Sequence, residues 1–273
     1  MFRTLIATVK IQFLEMTAYR SSVLIWSVTD AIYPLSFIVI WLLVYQGQST
    51  VGGLNESQML VYYVGVLLVT TMVNTHIEWD IQDDIRTGRL KQFLTKPLPF
   101  ALYQATAMLA WRVYAAALSI PLSFFIIWWL NHSLSLGAPY PLSWQFILSL
   151  IGSLGIFMSM SFCLGFIAFF LERATGFFHA NDQLRTIASG GILPLALFPP
   201  WAQTISQWLP YSYQYDFPIR VLLGDVTTSQ FWIGVETQAG WTVLFALFAL
   251  GLWELGVRRY DAPEQVGVAG AEI

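Results

Sequence analysis

The sequence predicts an all-α integral membrane protein with six transmembrane helices, an N-terminal interfacial helix, a structured cytoplasmic segment and broken outer helices. Three observations carry that expectation. Only 11% of the 273 residues are charged, where a soluble domain carries about 25%. Apolar stretches near the roughly 20 residues needed to cross a bilayer recur six times along the chain. The basic residues are segregated: Arg3, Lys10, Arg20, Arg86, Arg89, Lys91, Lys96, Arg173, Arg185, Arg258 and Arg259 fall on one side of the spans, and the opposite loops hold Arg220 alone. Positive charge near span ends stays on the cytoplasmic side, so both termini are expected there. With 13 basic residues and a net charge of −3 there is no dense basic face for nucleic acid. A single cysteine, Cys163, excludes an intrachain disulfide and a cysteine metal cluster.

The chain reads as one transmembrane domain, 1–273. In residues 1–20, Phe2, Leu5, Val9, Phe13 and Met16 recur at helical spacing opposite Arg3, Thr8, Lys10, Gln12 and Glu15. This pattern fits a helix lying in the interface, or else an extension of the first span. Its charges exclude a cleavable signal peptide. The first span is expected at 23–45, with Asp30 inside it, and the second at 59–75. A charged cytoplasmic segment follows at 78–99, with a turn at Gly88 and any helix within it ending near Thr95, before Pro97. The third span, 102–130, is long enough for Arg112 to snorkel to the headgroups. The fourth, 144–171, is rich in small residues, with Gly155 and Ser159 spaced for close helix approach. The fifth, 183–198, contains Gly190, Gly191 and Pro194. An outer segment, 199–240, precedes the sixth span at 241–257, where Glu254 and Arg258 are spaced for an i, i+4 ion pair.

Segment 78–99 has two readings: a solvated loop whose basic residues fix topology, or a short helix that meets another protein through Ile81, Ile85, Leu90, Phe93 and Leu94. The outer segment is cut by Pro199, Pro200, Pro210 and Pro218 yet carries Trp201, Trp208, Tyr211, Tyr213, Tyr215, Phe217, Phe231 and Trp232. Broken helices dipping into the outer leaflet and an aromatic belt at the headgroups both fit. Asp30 either faces an internal cavity or bonds a neighbouring helix, since a bare charge costs about 2.5 to 3.5 kcal/mol at a span centre. His76, His132 and His179 are far apart in sequence and read as interfacial. No zinc-protease or serine-hydrolase signature occurs, and none of the three lysines sits in a phosphate-binding loop. Nucleotide energy would therefore come from another polypeptide, with no metal or cofactor on this chain.

The stretch from Asp83 to Leu98 is similar, through Ile85, Arg86, Gly88, Leu90, Leu94, Lys96, Pro97 and Leu98, to a pattern in permease subunits of type-2 ABC exporters. So is Ser189 to Trp201, continuing through Leu209-Pro210 to Pro218, Arg220 and Gly224, although the doubled Pro199-Pro200 departs from that pattern. The chain thus resembles the bacterial branch of ABC-2 family transporter proteins, whose permeases are often encoded in pairs. That resemblance implies a bacterial plasma (inner) membrane location. It makes the inner segment a coupling helix docking on an ATPase through Asp83, Asp84, Ile85, Arg86, Gly88, Arg89, Leu90, Phe93 and Leu94. It makes Pro194, Pro199, Pro200, Trp201, Pro210, Pro218 and Arg220 part of re-entrant outer helices closing the exit. Two separate ATPase subunits would hold ATP and Mg, and a second permease, identical or homologous, would complete the assembly within the bilayer. The expected cargo is amphiphilic, drug-like or lipid-like. The alternative is an ion-driven secondary transporter or channel, which calls for paired intramembrane carboxylates or an inverted repeat; Asp30 is almost alone. A membrane enzyme would need a His or Asp cluster that the sequence does not display.

Overall fold

In lipid a single helix satisfies every backbone N–H and C=O within itself, and the computed structural model is almost wholly helical over the residues it describes, 2–18, 20–74, 76–134, 143–171 and 173–261. The expected C-terminal end of the domain, the last residue of the second span and most of the loop between spans three and four lie outside the described residues. Helices α1 (Phe2–Ala18) and α2 (Arg20–Val44) lead to a hairpin of β1 (Thr50–Val51) and β2 (Leu54–Asn55). Its two-residue turn uses Gly52 and Gly53 at φ of 60° and 82°. Helix α3 (Glu56–Val73) opens with a capping box, Asn55 accepting from the Gln58 backbone at 2.8 Å and Gln58 accepting from Asn55 at 3.0 Å. Then come α4 (Ile77–Arg86), α5 (Leu90–Leu94), α6 (Phe100–Leu134) and α7 (Trp144–Phe166) with a 3-10 turn at Ile167–Phe169. The chain ends through α8 (Thr175–Ala188), a 3-10 turn at Leu195–Leu197, α9 (Pro200–Gln207), α10 (Pro210–Gln214), α11 (Asp216–Leu223) and α12 (Thr228–Asp261).

Among the described residues five helices, α2, α3, α6, α7 and α12, are long and apolar enough to cross a membrane. The expected fifth span, 183–198, is divided. Helix α8 stops at Ala188, Gly190 takes φ of 84°, and Pro194 introduces the 3-10 turn. At 1.5 Å per residue α8 rises only about 21 Å, short of a core of roughly 30 Å. The last helix starts at Thr228 instead of 241, so 228–240 leaves the expected outer segment. In sequence Glu236 and Gln238 interrupt the apolar run. In the structure Gln238 is buried and its Nε2 donates to the carbonyls of Ser149 at 2.9 Å and Tyr213 at 2.8 Å, so its polarity is met inside.

Helix α3 is buried on nearly every side, Met59, Leu60, Tyr63, Val64 and Leu67 among its enclosed residues, which explains its uninterrupted apolar sequence. It forms one core with Ile127, Leu130, Phe146, Phe157 and Ile219. A second core joins α4 to the ends of α6, α7 and α12 through Ile81, Phe100, Phe162, Phe166 and Ala249. The small residues of α7 seat α12: a Cβ on Gly155 would lie 2.9 Å from Thr242 Oγ1, and one on Gly152 would collide with Gln238. Helix α1 rests on α6, with Phe13 and Tyr114 ring centroids 5.8 Å apart. Gln12, expected on its polar face, is buried there, and Ile6, Ile11 and Leu14 are exposed. Among the described residues Glu254 and Arg258 form no ion pair.

Candidate functional site

Helix α4 combines five charges with Ile77, Ile81 and Ile85, four residues apart and buried along one face. That face anchors the segment. Ile81 is fully enclosed and meets α7 where Gly165 leaves room; a Cβ there would lie 2.8 Å from Ile81 Cβ. Gln82 Oε1 accepts the Ala174 N–H at 2.8 Å, tying α4 to the residue before α8. Gly88, at φ of 78°, turns the chain in the left-handed region that favours glycine. Arg89 then folds back on α4, Nε 2.9 Å from Asp84 Oδ1 and Nη2 2.5 Å from Asp83 Oδ2. Gln104 Nε2 donates to Asp84 at 3.0 Å. Burial lifts the Asp84 carboxyl above its ordinary range, and Arg89 opposes that rise. In α5, Leu90 is fully buried and the Phe93 ring lies 4.8 Å from Tyr103 and 5.4 Å from Phe100.

The residues expected to dock therefore divide by position. Asp84, Ile85 and Leu90 face inward and hold the α4–Gly88–α5 turn in shape; Gly88 and Phe93 are half-buried; Asp83, Arg86, Arg89 and Leu94 are on the surface. The result is a preformed, outward-facing polar ridge on an apolar foundation.

At the opposite end the break after α8 is held by α3. Tyr62 donates to the Gly190 carbonyl and Tyr63 to the Ile192 carbonyl, each at 2.7 Å. The Asp216 N–H reaches Ser189 O at 3.1 Å, and Ser153 Oγ donates to Gln214 O at 2.5 Å. Open backbone in lipid is tolerated only when covered by protein in this way. Pro200 and Pro210 occupy the first helical positions of α9 and α10, where a missing N–H costs nothing. Pro194, Pro210 and Pro218 are buried, Pro199 and Pro200 exposed, and the Trp201 and Trp208 side chains project outward. Arg220, 3.6 Å from Asp225, borders a chamber of about 490 Å³ with Tyr62, Gln203, Asp216, Phe217 and Gln230. Sequence reading missed Tyr62 and Tyr63, whose only signal is a pair of hydroxyls in an apolar run.

Asp30 is half-buried on α2 between two cavities. One, about 550 Å³, is lined by Trp26, His76, Trp79, Trp111 and Arg112; the other, about 270 Å³, by Tyr33, Thr70, Arg185 and Tyr215. Arg112 does not reach outward: its Nη1 donates to Thr71 O at 2.7 Å. Arg185, counted by sequence with the flanking charges, is buried in α8, 2.6 Å from Asp182 and 4.4 Å above the Phe157 ring.

A family model described as ABC-2 family transporter protein matches residues 31–263. That match runs from within α2 to beyond α12 and includes both segments just described. No curated protein and no solved structure matches the chain.

Proposed function

This chain belongs to the ABC-2 transporter family as a permease subunit, and on that premise we propose that it docks its ATPase through the α4–Gly88–α5 ridge to drive export. Permeases of this family are multi-pass membrane components without ATPase activity of their own, associated with an ABC ATPase. The observation that carries the finer reading is the division of α4 and α5 into an inward face that fixes their shape and an outward face carrying Asp83, Arg86, Arg89 and Leu94. A solvated topological loop needs no such foundation.

The same contacts supply a mechanical route. ATP binding draws two ATPase subunits together and pushes α4. Ile81 against Gly165 passes the push to α7, and Gln82 passes it to Ala174 at the head of α8. Helix α8 ends at the Gly190 loop held by Tyr62 and Tyr63, which continues into α9, α10 and α11. In this reading α8 and the 189–199 segment together make a broken fifth crossing of six, and α9 to α11 close the outer exit. Both termini lie in the cytoplasm of a bacterial cell, in its plasma membrane. A second permease, identical or homologous, pairs with this one; ATP and Mg²⁺ bind the ATPases, and this chain holds no nucleotide. The cargo is amphiphilic, drug-like or lipid-like, in keeping with aromatic cavity walls and few charges.

Inverted membrane vesicles carrying the permease and its ATPase test this reading with a fluorescent amphiphilic dye. Accumulation is expected to require ATP and to fall at least tenfold without it. Uptake that persists without ATP and collapses with the proton gradient would instead establish an ion-driven transporter.

A further inference from the structure

We propose that His76, Glu78 and Asp182 form a site for a first-row divalent metal, of which Zn²⁺ is the probe, and that the ion clamps α4 to α8. One nitrogen or oxygen from each of the three residues lies within 4.8 Å of the other two. Glu78 points to a ligand. It is 1% exposed, and its Oε2 is buried without a hydrogen-bond partner. A buried carboxylate oxygen with no donor is costly unless a cation or proton meets it.

The surrounding geometry suits a metal. In a tetrahedral zinc site with bonds of about 2.0 to 2.2 Å, neighbouring ligand atoms stand roughly 3.4 Å apart. His76 Nδ1 and Glu78 Oε1 are 3.4 Å apart already, and a chelating Glu78 carboxylate brings its unpartnered Oε2 to the same ion. His76 is the residue before α4, makes no capping bond with its side chain, and is half exposed, which leaves an entry path and an open coordination position. Asp182 comes from α8 and gives one oxygen to Arg185 at 2.6 Å; a carboxylate has a second to offer. Arg185 is the opposing charge: its guanidinium contacts Asp182 and lies over the Phe157 ring. An imidazole with two carboxylates selects zinc-like ions over Mg²⁺, which takes oxygen ligands and keeps its water. The scaffold is preformed: the Trp79 ring lies 5.3 Å from Phe178, and Gln82 bonds Ala174 at 2.8 Å, so α4 and α8 are in register before any ion arrives. The separation of His76 from Asp182 along the chain is why no sequence motif reports the site.

The inference goes beyond the docking reading and does not depend on it, because binding is measured on the full-length permease alone. Zinc uptake, followed by competition with a chromophoric chelator, is expected at one ion per chain, with Mg²⁺ failing to compete. His76→Ala, Glu78→Gln and Asp182→Asn are each expected to weaken it at least tenfold, while His132→Ala, at the far end of α6, binds as the parent does. Hydrogen exchange is expected to slow on zinc addition within 76–82 and 175–186. If Glu78→Gln does not give a monodisperse protein, His76→Ala, on a half-exposed residue, decides. No zinc uptake by the parent chain, undiminished affinity in His76→Ala, or protection confined to other segments would each overturn the proposal.

Discussion

Replacing Gly165 with leucine is expected to lift α4 off α7 and abolish ATP-coupled transport while the chain still inserts in the membrane. The position is closed to any side chain, because a Cβ would lie 2.8 to 3.0 Å from three atoms of Ile81, including its Cβ, which sits too near the α4 backbone to swing away. Overpacking of this kind costs about 1 to 3 kcal/mol, and the strain falls on the close contact between α4 and α7. Gly165→Ala is the milder form. Ile81→Ala alone opens a cavity at a fully buried position, an expected loss of about 2 to 5 kcal/mol. Combined, the two alanines refill part of each other's error, so the pair is expected to be less destabilised than the sum of the singles. Thermal unfolding of the purified permease reads this cycle; additive effects would place Ile81 and Gly165 out of contact.

Gly234→Val carries the second large effect, at the other end of the molecule. A Cβ at Gly234 on α12 would collide with the Phe217 ring of α11, itself 8% exposed and stacked on Phe231 at a 6.4 Å centroid separation. The valine is expected to push α11 away from α12 and loosen the α9–α11 assembly, at a cost again of about 1 to 3 kcal/mol. In vesicles, passive dye leak through the variant is expected to rise several-fold without ATP, with the ATPase still bound. A variant as tight as the parent would show that α11 does not form the outer closure.

The spans that sequence made legible are those whose residues meet lipid or a large core. Runs such as 59–73 and 144–166 are apolar on every side because α3 is enclosed and α7 faces core and lipid together. The α4 turn was visible through Gly88, Pro97 and the charge cluster. Legibility failed where polarity is satisfied by tertiary partners. Gln238 falls within the expected outer segment 199–240 because its two carbonyl acceptors, on Ser149 and Tyr213, come from elsewhere in the chain. Arg185 looked like a flanking charge because neither Phe157 nor its burial is encoded nearby. The inward placement of Ile85 and Leu90 was likewise hidden: an amphipathic stripe states that one face is buried, not whether its cover is a partner or the protein itself. The signal for the early start of α12, Thr227 and Gln230 exchanging backbone and side-chain bonds at 2.9 and 3.3 Å, was present and is readable as a capping box.

The central claim is that the ATPase takes hold of the exposed side of the α4–Gly88–α5 ridge. Co-purification of the ATPase with the permease from native membranes tests it directly, comparing the parent chain with Arg86→Glu, a surface change that leaves the Ile81, Asp84 and Leu90 foundation untouched. The parent is expected to retain the ATPase in a nucleotide-hydrolysing complex, and Arg86→Glu to lose it at least tenfold with unchanged permease yield. Equal recovery of the ATPase on both chains, or none on the parent, would contradict the account.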